Sequence, residues 1–179
     1  MSIMSLILNN VVGETTMYFK RRGGAVIYRD NSDQKMKVIL ATEQKHFADA
    51  FKIRTNVFIG EQQVPVHEEI DEYDGYVPIF VAYENDKATG TARVIMKENQ
   101  IAKIGRVAVV KEARKKGIGK QLMLEAIKYI ANKTDAQEIR LDAQLTAVEF
   151  YKSLGFISHG EIFKDAGIDH IAMTYSISN

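Results

Sequence analysis

Six consecutive residues, Arg114-Lys115-Lys116-Gly117-Ile118-Gly119, have the types and spacing of an anion-binding turn. Glycine lets the backbone approach a ligand closely and adopt positive φ values. A helix that begins at Gly117 directs its free N–H groups, and roughly half a unit of positive charge, toward such a turn. The three basic side chains add full positive charges at the same place. The pattern therefore predicts a site for a phosphate or pyrophosphate group.

This turn differs from the two common nucleotide-binding fingerprints. Gly119-Lys120 is followed by Gln121, where a P-loop requires serine or threonine, and the upstream glycine is missing. A dinucleotide-binding fingerprint needs glycine two residues before Gly117, where Lys115 stands. The alternative to anion binding is a basic, solvated helix start that binds nothing.

A strand and a helix must hold the turn in place. Residues 102–110 are apolar and β-branched enough for a buried strand. From Ile118 the apolar residues change to a helical period and share one face. They are Ile118, Leu122, Ala126, Ile127 and Ile130. Strand, basic turn and helix start coincide, which favours a bound anion over a solvated turn.

The acidic segment 61–74, EQQVPVHEEIDEYD, is a second place where chemistry is expected, because it holds six carboxylates and no lysine or arginine. Its Pro65 argues against regular structure. Such a cluster can attract a cationic substrate or supply a base, and Glu69 and Asp71 are the candidate bases. The alternative is a solvated acidic loop, or a loop held by a salt bridge to Arg54.

A short helix near residue 150 carries a tyrosine of interest. Its apolar residues repeat at i, i+3, i+4 and i+7, and Gly155 stops the helix. They are Ala147, Phe150, Tyr151 and Leu154. From this periodicity alone, Tyr151 is a core residue with its hydroxyl at the rim.

Composition excludes several classes of protein. A chain of 179 residues is one domain by length, and with no cysteine it has neither a disulfide framework nor a cysteine nucleophile. The four histidines (His46, His67, His159, His170) lack metal-ligand spacing, so no metal site is expected. A net charge of +1 is too near zero to suggest nucleic-acid binding.

No membrane association is expected either. No apolar run approaches the roughly 18 residues of a membrane helix. The first apolar run, residues 3–8, has its positive charges after it, which is the reverse of a signal peptide. We therefore expect a cytoplasmic protein.

The order of predicted elements from residue 36 is β-α-β-β-β-α-β-α-β-β. The strands are predicted at residues 36–41, 79–83, 88–96, 102–110, 138–143, 156–159 and 170–177, and the helices at 42–60, from 117 onward and at 147–154. This order predicts an α/β fold, a mixed sheet with helices on both faces. Residues 1–35 form either an appended hairpin, with strands at 16–20 and 25–29, or an upstream extension with no role in catalysis.

Two motifs resemble those of the GNAT superfamily of acyl-CoA N-acyltransferases. The first is Arg106-Val107-Ala108-Val109 leading to Arg114-x-x-Gly117-x-Gly119, which is similar to the coenzyme A pyrophosphate loop. The second is Ala147-x-x-Phe150-Tyr151-x-x-x-Gly155-Phe156, which is similar to the signature of the fourth helix of that family. The resemblance covers residues 36–179.

A third set of motifs resembles the ElaA/YjcF-like branch of this superfamily. It comprises Arg54-x-x-Val57-Phe58-x-x-Glu61-Gln62-x-Val64-Pro65, Leu141-Asp142-Ala143-Gln144 and Gly167-Ile168-Asp169-His170-Ile171-Ala172-Met173. The chain departs from the branch in its N-terminal extension and at Asp142, where histidine is expected.

The resemblance implies a GNAT fold, a mixed sheet flanked by about four helices, with an extension at residues 1–35 and an N-acetyltransferase domain at 36–179. It implies acetyl-CoA as the acyl donor and a small-molecule or peptide amine as the acceptor. Oligomeric state stays open, and a homodimer is one of the states allowed. The residues implied to bind coenzyme A are Val107, Ala108, Val109, Arg114, Lys115, Lys116, Gly117, Ile118, Gly119 and Lys120.

The resemblance also implies a mechanism. The strand at Val107 and Val109 splays from its neighbour, pairs with the pantetheine arm, and turns a free N–H toward the thioester oxygen. The amine attacks directly in a ternary complex, Glu69 or Asp71 takes its proton, and Tyr151 protonates the departing thiolate. The alternative is a GNAT-like module that binds acyl-CoA or a partner protein without catalysis. A nucleotide-binding α/β protein is less favoured because both fingerprints are missing.

Overall fold

The computed structural model describes residues 36–177 throughout, and before them the backbone of four short strands. Strand β1 (Asn10–Val11) pairs with β2 (Glu14–Thr15), and β3 (Met17–Arg21) pairs with β4 (Gly24–Tyr28), both antiparallel. The chain divides into two compact units, Met1–Lys35 and Met36–Asn179. The two strands predicted at 16–20 and 25–29 correspond to β3 and β4, while Thr16 and Arg29 lie outside the described residues.

The described residues of the larger unit, 36–177, contain seven strands and four α-helices. The strands are β5 (Met36–Leu40), β6 (Ile79–Glu84), β7 (Lys87–Lys97), β8 (Ile101–Val109), β9 (Glu138–Gln144), β10 (Ile157–Asp165) and β11 (Ile168–Ser176). The helices are α1 (Gln44–Arg54), α2 (Val66–Glu69), α3 (Ile118–Lys133) and α4 (Val148–Lys152), and a π-helical stretch, Thr55–Glu61, continues α1. None of the described helices is long and apolar enough to span a membrane.

The seven strands form one mixed sheet in the order β10-β11-β9-β8-β7-β6-β5. Every neighbouring pair is antiparallel except β8 and β9, which run parallel. The predicted order of strands and the predicted mixed α/β sheet are therefore confirmed, and α2 is an additional short helix between β5 and β6 that the sequence did not predict.

The parallel strands β8 and β9 pair over only three residues each. Ile101–Lys103 of β8 face Glu138–Arg140 of β9. Both strands continue past this point, β8 to Val109 and β9 to Gln144, without further pairing between them. A gap therefore opens in the middle of the sheet, at the ends of β8 and β9 that lead to α3 and α4.

The acidic segment 61–74 is more ordered than the sequence predicts. Pro65 stands at the N-cap of α2, where a missing N–H costs nothing, and it therefore starts a turn of helix instead of preventing one. A 3₁₀ turn, Glu72–Gly75, follows, and the Asp71 side chain accepts a hydrogen bond from the Tyr73 N–H at its start. Helix α2 and the 3₁₀ turn have four residues each, which is too short to produce a periodic pattern in the sequence.

Helix α3 packs its apolar face on the sheet, and this packing fixes where the basic turn lies. Ile118, Leu122, Ala126 and Ile130 are fully buried, as predicted, although Met123 completes the face and Ile127 is only half-buried. The close approach of α3 to strand β7 depends on Gly90 in β7. A Cβ there would lie 2.8 Å from Leu122 Cδ1 and 3.1 Å from the carbonyl oxygen of Ala108.

We expect Gly90→Ala to lower the free energy of unfolding by about 1–3 kcal/mol, because the added methyl group overpacks the contact between β7 and α3. Chemical denaturation measures the change. Gly105→Ala is the matched control in the neighbouring strand, since its Cβ would meet nothing within 4 Å. Equal stability of the two variants would show that α3 does not depend on this close approach.

Candidate active site

A β-bulge interrupts the pairing of β8 with β7 beside the gap. The register shifts by one residue between Thr91 and Arg93 of β7, so that Arg106 and Val107 of β8 lie opposite a single residue. Arg106 has a φ of 50°, in the left-handed region that residues with a side chain rarely adopt. A bulge of this kind bends its strand, and here it lies where β8 separates from β9.

The backbone N–H groups of Val107 and Val109 face the gap. The Val110 N–H donates to the Thr89 carbonyl oxygen on β7 at 2.9 Å. Because donors alternate in direction along an antiparallel strand, the N–H groups of Val109 and Val107 point away from β7. They therefore lie on the side from which β9 has separated, and can pair with an extended polar chain that lies in the gap.

A cavity of about 230 Å³ occupies the gap. Its walls come from both strands, from Tyr151 of α4, from the acidic segment including Glu69, and from the turn between β10 and β11. Elements far apart in sequence thus enclose one space. Tyr151 and Glu69 both line it, as the predicted mechanism requires, whereas Asp71 is absent from its walls.

The first turn of α3 offers free backbone donors at the end of β8. Gly117 is the N-cap residue, with a φ of 83° and no capping side chain. The first intrahelical bond runs from the Gln121 N–H to the Gly117 carbonyl oxygen at 3.0 Å. The N–H groups of Ile118, Gly119 and Lys120 therefore have no partner among the described residues. This is the geometry predicted for the anion-binding turn.

Arg114 is already bound within the protein. Its Nε donates to the Val109 carbonyl oxygen at 2.9 Å, and its guanidinium forms a 2.7 Å ion pair with Glu61. The side chain thereby ties the end of β8 to the segment after α1. It fixes the position of the turn, and a contact of Arg114 with the anion stays a prediction.

The lysines of the turn differ in their availability. Lys116 forms a 3.0 Å ion pair with Glu84. Lys115, whose φ is 64°, and Lys120 are without a side-chain partner in the part of the chain that the structure describes. Lys115 and Lys120 are therefore the two charges that are free to meet an anion at the start of α3.

We expect Gly119→Val to weaken acetyl-CoA binding by about tenfold or more, which corresponds to ~1.4 kcal/mol. A Cβ at this position would lie 3.5 Å from Phe150 Cζ and 3.8 Å from Val109 Cγ2, which is ordinary contact. The fold therefore tolerates the first carbon, while the two further methyl groups crowd the helix start. Calorimetry measures the affinity, with Gly119→Ala as the matched control. Unchanged affinity in the valine variant would remove this turn from the binding site.

Tyr151 is buried on α4, among aromatic rings. Its ring makes edge-to-face contacts with Phe150 at 5.0 Å and Phe156 at 6.0 Å between centroids. Burial raises the pKa of Tyr151 to about 12. The hydroxyl makes no hydrogen bond to any residue that the structure describes, and the residue lines the cavity. Tyr151 is therefore protonated at neutral pH, and its proton is available for donation.

Glu69 is held between two arginines. Its carboxylate forms ion pairs with Arg54 and, at 2.9 Å, with Arg106, and only 3 % of the residue is exposed. Its carbonyl oxygen also accepts hydrogen bonds from both guanidinium groups. The salt bridge to Arg54 that the sequence offers as the alternative role of Glu69 is therefore present.

Asp71 belongs to the same cluster of charges. It pairs with Arg93 and with Arg106, while Asp74 pairs with Arg54 and with Arg93. Burial raises the pKa of Asp71, but hydrogen bonding and charge from Arg93, with a further contribution from Arg106, outweigh it and hold that pKa below its ordinary value. A carboxylate so paired is a weak base. We call Arg54, Glu69, Asp71, Asp74, Arg93 and Arg106 the arginine–carboxylate cluster.

Two features of the site were not predicted from sequence. The side chains of Gln62 and Gln144 join the acidic segment to the end of β9 through a 2.9 Å hydrogen bond. Arg106, named in the sequence only as part of a motif, sits at the bulge and binds the acidic segment. Both contacts join residues more than 35 positions apart, so no local spacing could reveal them.

Residues 41–177 match the family model described as an acetyltransferase (GNAT) domain, and the chain therefore belongs to the GNAT acetyltransferase family. It is 38% identical over 140 residues to the uncharacterized N-acetyltransferase YjcF of Bacillus subtilis, covering 77% of this chain and 98% of that protein. It is 29% identical over 129 residues to the protein ElaA of Escherichia coli, covering 70% and 84%. These relatives confirm the predicted ElaA/YjcF-like branch.

Solved structures agree with this assignment. The crystal structure of Escherichia coli ElaA has a TM-score of 0.69 and 26% identity, covering 78% of this chain and 97% of that one. A Bacillus subtilis acetyltransferase solved in complex with CoA shares the fold, with a TM-score of 0.61, 21% identity, and 80% and 100% coverage. GNAT acetyltransferases use acetyl-CoA as their acyl donor, and membership of the family thereby confirms the predicted cosubstrate.

Proposed function

We propose that this protein is an N-acetyltransferase in which a primary amine attacks acetyl-CoA directly, within a ternary complex. The gap between β8 and β9 carries the proposal, because the part of β8 that has no partner on β9 and a buried, protonated tyrosine line one cavity there. Acyl transfer to an amine needs a donor site, a polarised carbonyl, and an acid for the leaving thiolate. For each of these three requirements, a suitable group lies in or beside this gap.

The donor site is assigned to β8 and the start of α3. Lys115, Lys120 and the free N–H groups of residues 118–120 would bind the pyrophosphate, because positive charge and helix donors coincide there. Val107 and Val109 would pair their N–H groups with the pantetheine amides in the manner of an added strand. One of these N–H groups would polarise the thioester carbonyl, which makes its carbon more electrophilic.

Tyr151 is assigned the role of the acid. It donates its proton to the sulfur as the carbon–sulfur bond breaks. Its raised pKa keeps it protonated at neutral pH, and no described residue competes for its hydroxyl. With no cysteine in the chain, and no serine–histidine–aspartate pattern, a covalent acyl-enzyme has no evident nucleophile.

The acceptor is a small molecule or peptide that carries an amine, and its specificity is assigned to residues 60–78 and 158–170. Both segments contribute to the cavity wall, through Glu68 and Asp165 among others. Their carboxylates would attract a cationic amine. The proposal also includes a cytoplasmic location. It leaves the oligomeric state open, and a homodimer is one of the states allowed.

A thiol-release assay tests the proposed function. Acetyl-CoA is supplied with a panel of simple amines, polyamines, aminoglycosides and peptides, and the free thiol is measured. We expect at least one amine to raise thiol release well above the rate without acceptor. Tight acetyl-CoA binding with no release for any amine would instead support the non-catalytic acyl-CoA-binding module.

A further inference from the structure

We infer that His170 is the general base that takes the proton from the acceptor amine, an inference that rests on the proposed function. His170 is the third residue of β11, is 8% exposed, and lines the cavity together with Tyr151. Its register partners are Gln144 of β9 and Phe163 of β10. The imidazole is therefore held at the end of β9, beyond the residues that pair β8 with β9.

One hydrogen bond fixes the tautomer of His170. Its Nδ1 lies 2.9 Å from the carbonyl oxygen of Ile168. A carbonyl oxygen only accepts hydrogen bonds, so Nδ1 carries the proton and donates it. In the neutral ring, Nε2 is then the unprotonated nitrogen with a free lone pair. Nε2 has no partner among the described residues.

His170 and Tyr151 approach the cavity from opposite faces of the sheet. Met173 and Tyr175 share one face of β11, and the Tyr175 ring packs 5.4 Å from Phe156, next to Tyr151. Because side chains alternate along a strand, His170 points to the other face. An acid and a base on opposite sides of the gap suit a reaction in which one group takes a proton from the nucleophile and a different group gives one to the leaving thiolate.

The carboxylates that line the cavity are less suitable as bases. Glu69 is engaged by two arginines, and Asp142 forms a 2.6 Å ion pair with Lys103. Glu68 and Asp165 lie at the exposed rim. His170 alone among these groups is buried and has a ring nitrogen that no described residue engages, and imidazole is the most frequent general base in enzymes.

The proton balance of the step is complete. The amine, neutral after losing any additional proton to solvent, forms its bond to the acyl carbon and gives one proton to Nε2 of His170. The electron pair of the carbon–sulfur bond goes to sulfur, which takes the proton of Tyr151. Imidazolium then releases a proton to solvent and the phenolate regains one, so the net products are an amide and a thiol.

His170→Asn tests this role, because asparagine retains a donor near the position of Nδ1 and lacks the basic Nε2. With the fastest amine of the panel, we expect kcat to fall about 10²-fold. Acetyl-CoA affinity and melting temperature should remain near those of the wild type. His46→Asn, in α1 and outside the walls of the cavity, is the matched control and should keep full activity.

Two further measurements separate a base from a structural histidine. Added imidazole should restore activity at least tenfold in His170→Ala, which has space for it, and should leave the His46 variant unchanged. Nitrogen-15 NMR of the wild-type protein should find the neutral His170 ring protonated at Nδ1. This second measurement needs no acceptor and does not depend on how well any variant folds.

Each contrary result overturns a defined claim. Wild-type kcat in His170→Asn, a loss without imidazole rescue, or a neutral ring protonated at Nε2 would each overturn the inference and leave the acetyltransferase intact. Absence of thiol release from the wild-type protein with every amine would overturn the proposed function, and the inference with it.

Discussion

Tyr151→Phe is expected to lower kcat by roughly 10²-fold, while melting temperature and acetyl-CoA affinity barely change. Phenylalanine preserves the ring and its edge-to-face contacts with Phe150 and Phe156. Only the hydroxyl disappears, and that hydroxyl has no hydrogen-bond partner among the described residues to lose. The loss should therefore appear in catalysis and not in stability. Steady-state kinetics, calorimetry and thermal melting together measure it.

Tyr129→Phe is the matched control, since it removes a phenol hydroxyl from α3, away from the cavity.

The pH dependence of kcat supplies a second check on the role of Tyr151. A proton donor acts in its protonated form, and burial raises the pKa of Tyr151 to about 12. Tyr151 should therefore cause no loss of kcat until the pH approaches about 12. A wild-type rate in the phenylalanine variant would show that water or another group protonates the sulfur.

Arg54→Met is expected to lower the free energy of unfolding by about 3–5 kcal/mol. Arg54 is 2% exposed, and its partners Glu69 and Asp74 have side-chain exposures of only 4% and 7%. Removing the guanidinium leaves two buried carboxylates without their main counter-charge. Denaturant titration measures the change.

Lys87→Met is the control for Arg54, because Lys87 forms an ion pair with Glu112 that is exposed to solvent and should contribute little to stability. Glu69→Gln separates the two roles considered for Glu69. A lower melting temperature with kcat retained supports its place in the arginine–carboxylate cluster, whereas loss of kcat with normal melting supports the base that the sequence suggested. If Arg54→Met were as stable as the wild type, the result would contradict the stabilising role of the buried arginine–carboxylate cluster.

The features that the sequence predicted correctly are local ones. The turn at residues 114–119 and the start of α3 are contiguous, so residue types alone indicate free N–H groups and nearby charge. The buried face of α3 follows from helical periodicity. Tyr151 was placed on a helix by the same reasoning, although only the family resemblance gave it a chemical role.

The features that the sequence left open depend on contacts between distant residues. Nothing near Arg106 marks the bulge, because a φ of 50° is more often associated with glycine. The partners of Glu69 come from α1 and β8, and pairing of β11 with β9 brings His170 to the cavity. Such contacts arise from the register of the strands, which a single sequence does not encode in any local pattern.

Mass spectrometry after a limited number of turnovers tests direct transfer in a ternary complex most directly. The protein is incubated with acetyl-CoA, with and without the amine of the panel that gives the fastest thiol release. The masses of both the protein and the amine are then measured. We predict that the amine gains one acetyl group, that the protein gains none, and that thiol appears only when the amine is present. An acetylated protein that forms without the amine and then passes its acetyl group on would contradict direct attack.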